Sequence, residues 1–436
     1  MKLKTVIKNV LLGSVAGLAM VGTAAAADLP VKAKAAEYVK ICSTYGAGFY
    51  YIPGTDTCLK VGGYVTADTY YADIEGKTRF TAPGVAIRGD NDPDGQTYFY
   101  TRVGVQLDAR TQTEYGTLRS YFEGRFEAGE YYGFGQEVET GQFSFNDESL
   151  NTVYMKYGYI QFAGFTFGRA TSAFDFWAGD GWQGIQPGNY YSDSTLNVIQ
   201  YTADFGNGFS ATIALEDSYN RDDEYDNFTD LDGQQVPDIV ANIAYEGTWG
   251  AFKVSGAYHD IGNYSALDGF GDEIPFYSND KAGWAVLAGV RFDFAETTTL
   301  YVEGAYASGA PGYLGLAGTI PVVDALGDAV TGWYVGGALI HYWTPSVFTT
   351  LVGSYTQTDN FGIAYAVGDS EGVASTDFTG YNVGVNIGWV PVKGLTLVLQ
   401  YDYLTAEYAG SDWLEPFSYS EEYSQNRVVF SAKRTF

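Results

Sequence analysis

The chain is poor in the residues that most catalytic and metal sites require. Its 436 residues include only 2 His, 2 Cys and 3 Met, which excludes most zinc centres, thiol chemistry and histidine catalysis. Basic residues number 24 against 52 acidic ones, for a net charge of −28. Nucleic acid is not an expected partner, because no surplus of Lys and Arg is available for its phosphates. No catalytic signature or phosphate loop appears, so we predict no catalytic residues and no cofactor.

The first 27 residues have the three parts of a secretory signal peptide. Three lysines form a basic head, an apolar stretch of about a dozen residues follows, and residues 24–27 are small. Cleavage after Ala26 and cleavage after Ala27 fit equally well. Downstream, no stretch reaches the roughly 18 apolar residues that a membrane-spanning helix needs.

The two cysteines, Cys42 and Cys58, lie 16 positions apart in a turn-rich segment. Export permits a disulfide, and closing this loop would stabilise the fold by about 3 kcal/mol on the chain-entropy model. We predict the bridge; two buried free thiols are the alternative. Residues 28–57 are interpreted as a periplasmic N-terminal segment, and residues 58–436 as a barrel.

Apolar and polar residues alternate along the rest of the chain. In two consecutive segments, apolar side chains alternate with a polar set that includes Arg102, Arg110, Arg119 and Arg125. A period of two residues indicates strands with one apolar and one polar face. Charges at mid-strand suit a wet lumen, whereas the apolar faces would meet lipid.

Short turns and long polar loops also alternate, with seven of the first and eight of the second joining sixteen strands. This is the pattern of a membrane barrel with short periplasmic turns and long external loops. We therefore predict an all-β fold, a 16-stranded antiparallel transmembrane β-barrel. Its partners would include outer-membrane lipid.

Several stretches of the sequence point to a family. The longest reads YGAGFYYIPGTDTCLKVGGY, and the stretches together are residues 27–34, 37–42, 45–64 and 164–176. They resemble the general porins of alphaproteobacteria, of the rhizobial type, and the resemblance continues to Phe436. It implies a 16-stranded barrel, a homotrimer, and passive diffusion of small hydrophilic solutes and ions across the outer membrane. It also implies that the third long loop, residues 171–197, folds into the lumen and narrows it.

The end of the chain and one loop bear on assembly. The terminal Phe436 resembles the assembly signal of outer-membrane barrels, but Arg434 departs from it by placing a charge on the apolar register. We expect strands near the N terminus and the last strand to pack at a threefold axis. The loop of residues 131–146, rich in Tyr and Phe, would latch over a neighbour.

Charged side chains are predicted to line the narrow part of the pore. The candidate constriction loop carries Asp175, Asp180 and Asp193, and the candidate wall carries Arg102, Arg110, Arg119 and Arg125. Opposed acidic and basic rows produce a transverse field that orients dipolar solutes. Because opposed charges partly cancel, a weak cation preference is expected. The alternative is that some of these groups merely satisfy lumen charge pairs or lie near the mouth.

Three further interpretations stay open. Asp90, Asp92 and Asp94 resemble the start of a calcium loop, but Thr101 stands where the bidentate Glu would be, so a solvated acidic turn is favoured and no metal site is predicted. A solute-specific channel would show an aromatic track in the lumen, and Tyr121 has lumen parity. A structural or adhesive surface barrel would need a plugged lumen, and the chain has no spare plug domain.

Overall fold

The computed structural model describes much of the chain beyond the N-terminal 39 residues. Described are residues 40–82, 85–91, 95–136, 143–179, 182, 184, 190–218, 221, 229–231, 236–261, 264–267, 273–274, 282–316, 329–367, 370–410 and 418–436. The predicted signal peptide lies outside these residues, as do Asp92, Asp94 and Asp180. None of the helices in the described part is long and apolar enough to cross a membrane.

Sixteen antiparallel strands close into a barrel, as the alternating sequence predicts. They are β1 (Cys58–Ala82), β2 (Gln96–Thr113), β3 (Gly116–Gln136), β4 (Phe143–Phe162), β5 (Phe165–Thr171), β6 (Thr195–Gly206), β7 (Phe209–Glu216), β8 (Asp238–Gly247), β9 (Gly250–Asp260), β10 (Ala282–Phe294), β11 (Thr298–Ser308), β12 (Thr331–Thr344), β13 (Val347–Val367), β14 (Ser370–Val392), β15 (Leu395–Gly410) and β16 (Ser418–Thr435). Each strand pairs with the next, and β16 returns to pair with β1. Closure satisfies the backbone groups that lipid would leave without partners.

Five shorter strands and two turns of 3-10 helix complete the described structure. Tyr50–Tyr51 pairs with the start of β1, and Val85–Asn91 pairs with the end of β1 as a hairpin. A separate three-stranded sheet consists of Thr229–Leu231, Tyr264–Leu267 and Glu273–Ile274. The 3-10 turns are Ser43–Tyr45 and Pro311–Leu314.

The side chains of each strand alternate between the outer surface and the lumen. In β10, Trp284 is 46% exposed on the outer face, whereas the inward Leu287 is 2% exposed. Outward apolar positions are stable here because they meet hydrocarbon instead of water. The alternation therefore runs opposite to that of a soluble sandwich, with apolar side chains outside.

Aromatic rings form part of a belt near the short turns. Phe209, Tyr245, Trp249 and Phe292 follow one another with ring centroids 4.9, 5.6 and 5.7 Å apart. Aromatic side chains are favoured at the membrane–water interface, where the ring meets apolar groups and its polar edge meets water.

Four of the predicted external loops are largely strand. The regions near residues 74–96, 131–148, 359–377 and 408–424 extend the hairpins of neighbouring strands. The predicted latching loop, residues 131–146, is among them: β3 and β4 pair there up to Gln136 and Phe143. A hairpin can continue beyond the bilayer because its ladder satisfies the backbone whatever the side chains meet.

The ends of the barrel chain also have defined partners. Phe436 exchanges two backbone hydrogen bonds with Gly63, at 3.0 and 3.1 Å. Arg434 does lie on the outward register, but it reaches the short turn and donates to the carbonyl of Lys393 at 3.2 Å. Its charge is thus at the end of the strand, where the membrane interface tolerates it.

The predicted disulfide is present. Cys42 and Cys58 are bonded, with Cα atoms 6.0 Å apart. The bridge closes a loop whose Phe49 is buried beside both cysteines. The periplasmic location of residues 28–57 stays a prediction.

Candidate functional site: the lumen loop and the open wall

The chain between β5 and β6 leaves the wall and crosses the inside of the barrel. We call residues 172–194 the lumen loop; within it, residues 172–179, 182, 184 and 190–194 are described. At its start, the carboxylate of Glu216 accepts hydrogen bonds from the Ser172 hydroxyl and the Ala173 N–H, both at 2.7 Å. The Asn242 side-chain amide donates to the Ala173 carbonyl at 2.6 Å. These contacts fix the loop against β7 and β8.

Further anchors lie on strands that are more distant in sequence. Lys253 on β9 donates to the backbone carbonyl of Asp175 at 2.6 Å. Glu303 on β11 accepts from the Trp177 N–H at 2.8 Å and from the Tyr334 hydroxyl at 2.7 Å. The loop backbone is therefore satisfied by side chains of the wall, as a buried irregular segment requires.

The far part of the loop reaches β13, β14 and β15. The Tyr190 N–H donates to the Ser354 hydroxyl at 2.9 Å, and the Tyr190 hydroxyl donates to the Thr405 carbonyl. The ring of Tyr190 lies so close to Gly380 that a side chain at that position would collide with it. The predicted insertion of the third loop thus occurs along β7 to β15. The pair Tyr190–Tyr191 is buried here.

The opposite part of the lumen, which we call the open wall, consists of the inward faces of β16 and β1 to β4. Arg102 pairs with Glu127, and Arg125 donates to Glu123 at 2.8 Å. Their side chains keep 17% and 15% of their surface exposed. Paired charges on a partly hydrated surface suit a wet passage.

Two lysines of the open wall have no carboxylate partner within salt-bridge distance among the described residues. Lys156 is within electrostatic range of Asp193, Arg102 and Arg125. Lys433 is within range of the same two arginines and of the carboxylates of Glu123 and Asp68. With Arg102 and Arg125, the two lysines make four basic groups on this part of the open wall, beside the acids Glu123, Glu127 and Asp68.

The comparisons with known proteins agree with this architecture. A family profile described as the porin subfamily matches residues 28–430. Porin Omp2b of Brucella neotomae is 32% identical over 331 residues, which are 69% of this chain and 84% of that protein. This chain belongs to the porin subfamily.

Other similar proteins support the same assignment. Porin Omp2b of Brucella suis is 32% identical over 315 residues, 70% of this porin and 75% of the relative. The outer membrane channel DcaP of Acinetobacter baumannii is 17% identical with a TM-score of 0.61, covering 88% of this chain and 99% of that chain, which shows the fold alone. The protein is an outer-membrane porin, a channel for small solutes, and the names of its relatives indicate a channel rather than an enzyme.

The described acids of the predicted acidic row, Asp175 and Asp193, lie in different surroundings. Asp175 is 3% exposed and pairs with Arg221 at 3.1 Å, so it does not line the water-filled passage. Asp193 is half-buried and lies in range of Lys156. Burial lowers the pKa of Arg221, but Asp175, Tyr313 and Glu216 together raise it, so the net shift is upward. Asp193 is the one predicted acid that the described residues place beside the open wall.

The predicted basic row lies wholly on the inward face, but at two heights. Arg102 and Arg125 are near Lys156, whereas Arg110 and Arg119 are register partners close to the short turn at Thr113–Gly116. Both of the latter pair with Asp108, at 2.7 and 3.0 Å. For these two arginines the placement favours the alternative interpretation, a charge pair near the mouth.

The alternation of the sequence does not predict that Lys156 faces the lumen, because β4 contains a bulge. The pairing of β3 with β4 shifts between Glu123 and Gly124 and passes over Lys156. As a result Lys156 and Tyr157 both lie on the inner side, with the ammonium 5.7 Å from the tyrosine ring centroid. A bulge re-aims one side chain and reverses the parity that follows. Of the three acids of the candidate calcium loop, only Asp90 is among the described residues, in the hairpin strand Val85–Asn91.

Proposed function

We propose that the gap between the lumen loop and the open wall is the eyelet of this porin. The observation that carries the proposal is the anchoring of the loop along β7 to β15, which leaves one charged stretch of wall uncovered. Small hydrophilic solutes and ions would pass there by diffusion, with no bound cofactor and no catalysis. Arg102, Arg125, Lys156 and Lys433 would line one side, and Asp193 the other.

The charges of the passage support a weak, salt-dependent selectivity. The acidic surplus of the whole chain attracts cations to the mouths at low salt, and this effect is screened beyond about 8 Å at physiological ionic strength. At high salt the charges of the eyelet determine the ion selectivity. Because Asp175 is buried, these charges are less acidic than the sequence alone suggests. We therefore expect a small cation preference that declines as the salt concentration rises.

A planar-bilayer experiment tests the proposal. Purified protein should give stepwise, ohmic currents, and the reversal potential under a KCl gradient should move toward zero as total salt increases. Absence of steps would indicate a plugged barrel and contradict the proposal. Strong anion selectivity at every salt concentration would contradict the proposed charge balance.

The assembly proposed for this porin is a homotrimer in outer-membrane lipid, after removal of residues 1–27. Support comes from the family, together with the closed barrel and its apolar outer face. Native mass spectrometry of the detergent-extracted protein should give three times the mass of the mature chain. A monomer under every gentle extraction condition would contradict this state.

A second candidate function, a solute-specific channel, is favoured by one observation. Tyr121 and Tyr159 are stacked on the inner face at 5.3 Å, and the guanidinium of Arg119 lies 5.1 Å from the Tyr121 ring centroid. Such a group of rings and charge resembles a ligand-binding ledge. Current that is blocked by one sugar or organic acid at low concentration would select this function over general diffusion.

A further inference from the structure

The guanidinium of Arg221 joins three segments that lie outside the barrel wall. Arg221 itself follows β7 and is 1% exposed. It donates to the Asp175 carboxylate of the lumen loop at 3.1 Å and to the Ser192 hydroxyl at 3.1 Å. It also donates to the carbonyl of Gly312, in the 3-10 turn after β11, at 3.2 Å. One cation thus contacts both ends of the lumen loop and a second external segment.

Aromatic rings hold the guanidinium in place. Its central carbon lies 3.9 Å from the Tyr313 ring centroid and 5.8 Å from that of Phe174. The Tyr313 hydroxyl donates to Asp238 at 2.6 Å, and Asp238 contacts His259 at 2.9 Å. The position of Arg221 is therefore tied to the outer ends of β8 and β9. A desolvated cation on an aromatic face is among the stronger forms of this contact.

The acceptor of this cation joins the two ends of the lumen loop, which together we call its neck. One oxygen of Asp175 accepts from the Ser192 hydroxyl, and the other accepts from the Ser194 N–H at 2.7 Å. Asp175 is near the start of the loop and the two serines are near its end. The carboxylate therefore fastens the two ends together, and its charge is compensated by Arg221 alone within hydrogen-bond distance among the described residues.

We propose that Arg221 is the positioning residue of the pore constriction. It does not line the passage; it holds Asp175, and through it the neck of the lumen loop, so that an external loop sets the size limit of the channel. Without Arg221 the buried carboxylate would have no cation in hydrogen-bond contact, because Lys253 donates to the backbone carbonyl of Asp175 instead, and it would draw water or move outward. Either response releases the neck and lets the loop move away from its seat. This inference rests on the proposed eyelet.

The test compares solute size limits among four variants of the full-length porin. Arg221→Met removes the charge, Arg221→Lys keeps it, and Arg221→Met with Asp175→Asn removes both charges. Arg291→Met is the matched control, because Arg291 is ion-paired near a short turn with Glu246. Swelling of proteoliposomes is measured with mono-, di- and trisaccharides, and open-channel current noise is measured in bilayers.

We expect Arg221→Met to raise the trisaccharide rate relative to the monosaccharide rate and to increase current noise. Arg221→Lys should restore most of the wild-type ratio, because the charge on Asp175 is compensated again. If Arg221→Met does not fold, the doubly neutral variant still tests the inference, because it lacks the Arg221–Asp175 ion pair and leaves no buried carboxylate without its cation. It should show a relaxed size limit.

Two results would overturn the inference. One is a wild-type sugar ratio and noise level in folded Arg221→Met or in the doubly neutral variant. The other is an equal relaxation in Arg291→Met, which would mean that any lost ion pair acts in this way. A wrong assignment of the eyelet would be recognised by a different measurement. In that case Lys156→Gln with Lys433→Gln would leave the reversal potential unchanged, whatever the Arg221 variants do.

Discussion

The two sides of the lumen are built from the same alternating strands, yet they face different surroundings. Beneath the lumen loop, many inward positions are small, with only a few larger ones such as Leu287 and Tyr334 among them: Ala257, Ala285, Ala305, Ala307 and Ala338 are all buried. On the open wall, the inward positions are long and charged: Arg102, Asp108, Glu123, Arg125 and Glu127. The size of the inward side chain, rather than the alternation alone, decides where an inserted segment can pack.

The covered side should be the more sensitive to large-to-small substitution. Trp177 is fully buried, with its ring 4.8 Å from that of Tyr191. Trp177→Ala should cost about 3–5 kcal/mol of packing free energy, and single-channel conductance should rise as the loop loosens. The control is Trp343→Ala, because Trp343 is 66% exposed on the outer surface. Unchanged conductance and heat stability in Trp177→Ala would show that the loop does not depend on this contact.

The same contrast explains how much of the molecule is predictable. Strand number, the direction of each face and the insertion of the third loop follow from periodicity and family resemblance. The sequence also indicates which part of the wall the lumen loop packs against. The inward face of residues 284–294 contains Leu287 and Gly289 at positions where a hydrated wall would have charged side chains. Gly289 is in fact covered by the ring of Phe176.

Individual site residues are less predictable, for two physical reasons. The burial of Asp175 depends on Arg221, 46 positions away in another loop, and no local pattern records a contact between two irregular segments. Lys156 lies inward through a single bulge, and one extra residue reverses strand parity. The inward direction of the four predicted arginines was predictable because β2 and β3 keep an unbroken register there.

The loop closed by the Cys42–Cys58 disulfide lies over the part of the open wall that is nearest the short turns. This contact offers a second test. Tyr45 and Phe49 lie over the guanidinium of Arg110, at 5.7 and 5.1 Å. Replacing Cys42 and Cys58 by Ser should lower the stability of this loop by about 3 kcal/mol, so that it becomes sensitive to protease while the barrel remains folded. Reductant should have the same effect on the wild type and none on the variant. Protease resistance equal to that of the oxidised wild type would contradict the expectation.

The two lysines of the open wall, Lys156 and Lys433, give a smaller, electrostatic test. Lys156→Gln with Lys433→Gln should move the reversal potential under a KCl gradient toward cations, because two positive charges leave the proposed eyelet. The matched control is Lys393→Gln on a short turn, where screening by salt weakens its influence. A shift of equal size in the control would mean that overall charge, and not the eyelet, sets the selectivity.

The smallest effect is expected for Arg110→Gln, although the sequence places Arg110 in the same row as Arg125. Asp108 would keep its partner Arg119, which donates at 3.0 and 3.1 Å, so no carboxylate is left uncompensated. Partly exposed ion pairs of this kind contribute about 0–1 kcal/mol. Reversal potential and heat stability should therefore stay close to wild type, whereas Arg125→Gln leaves Glu123 without its arginine and should move the reversal potential toward cations. Equal shifts in the two variants would place Arg110 at the eyelet and remove the distinction between the two heights of the basic row.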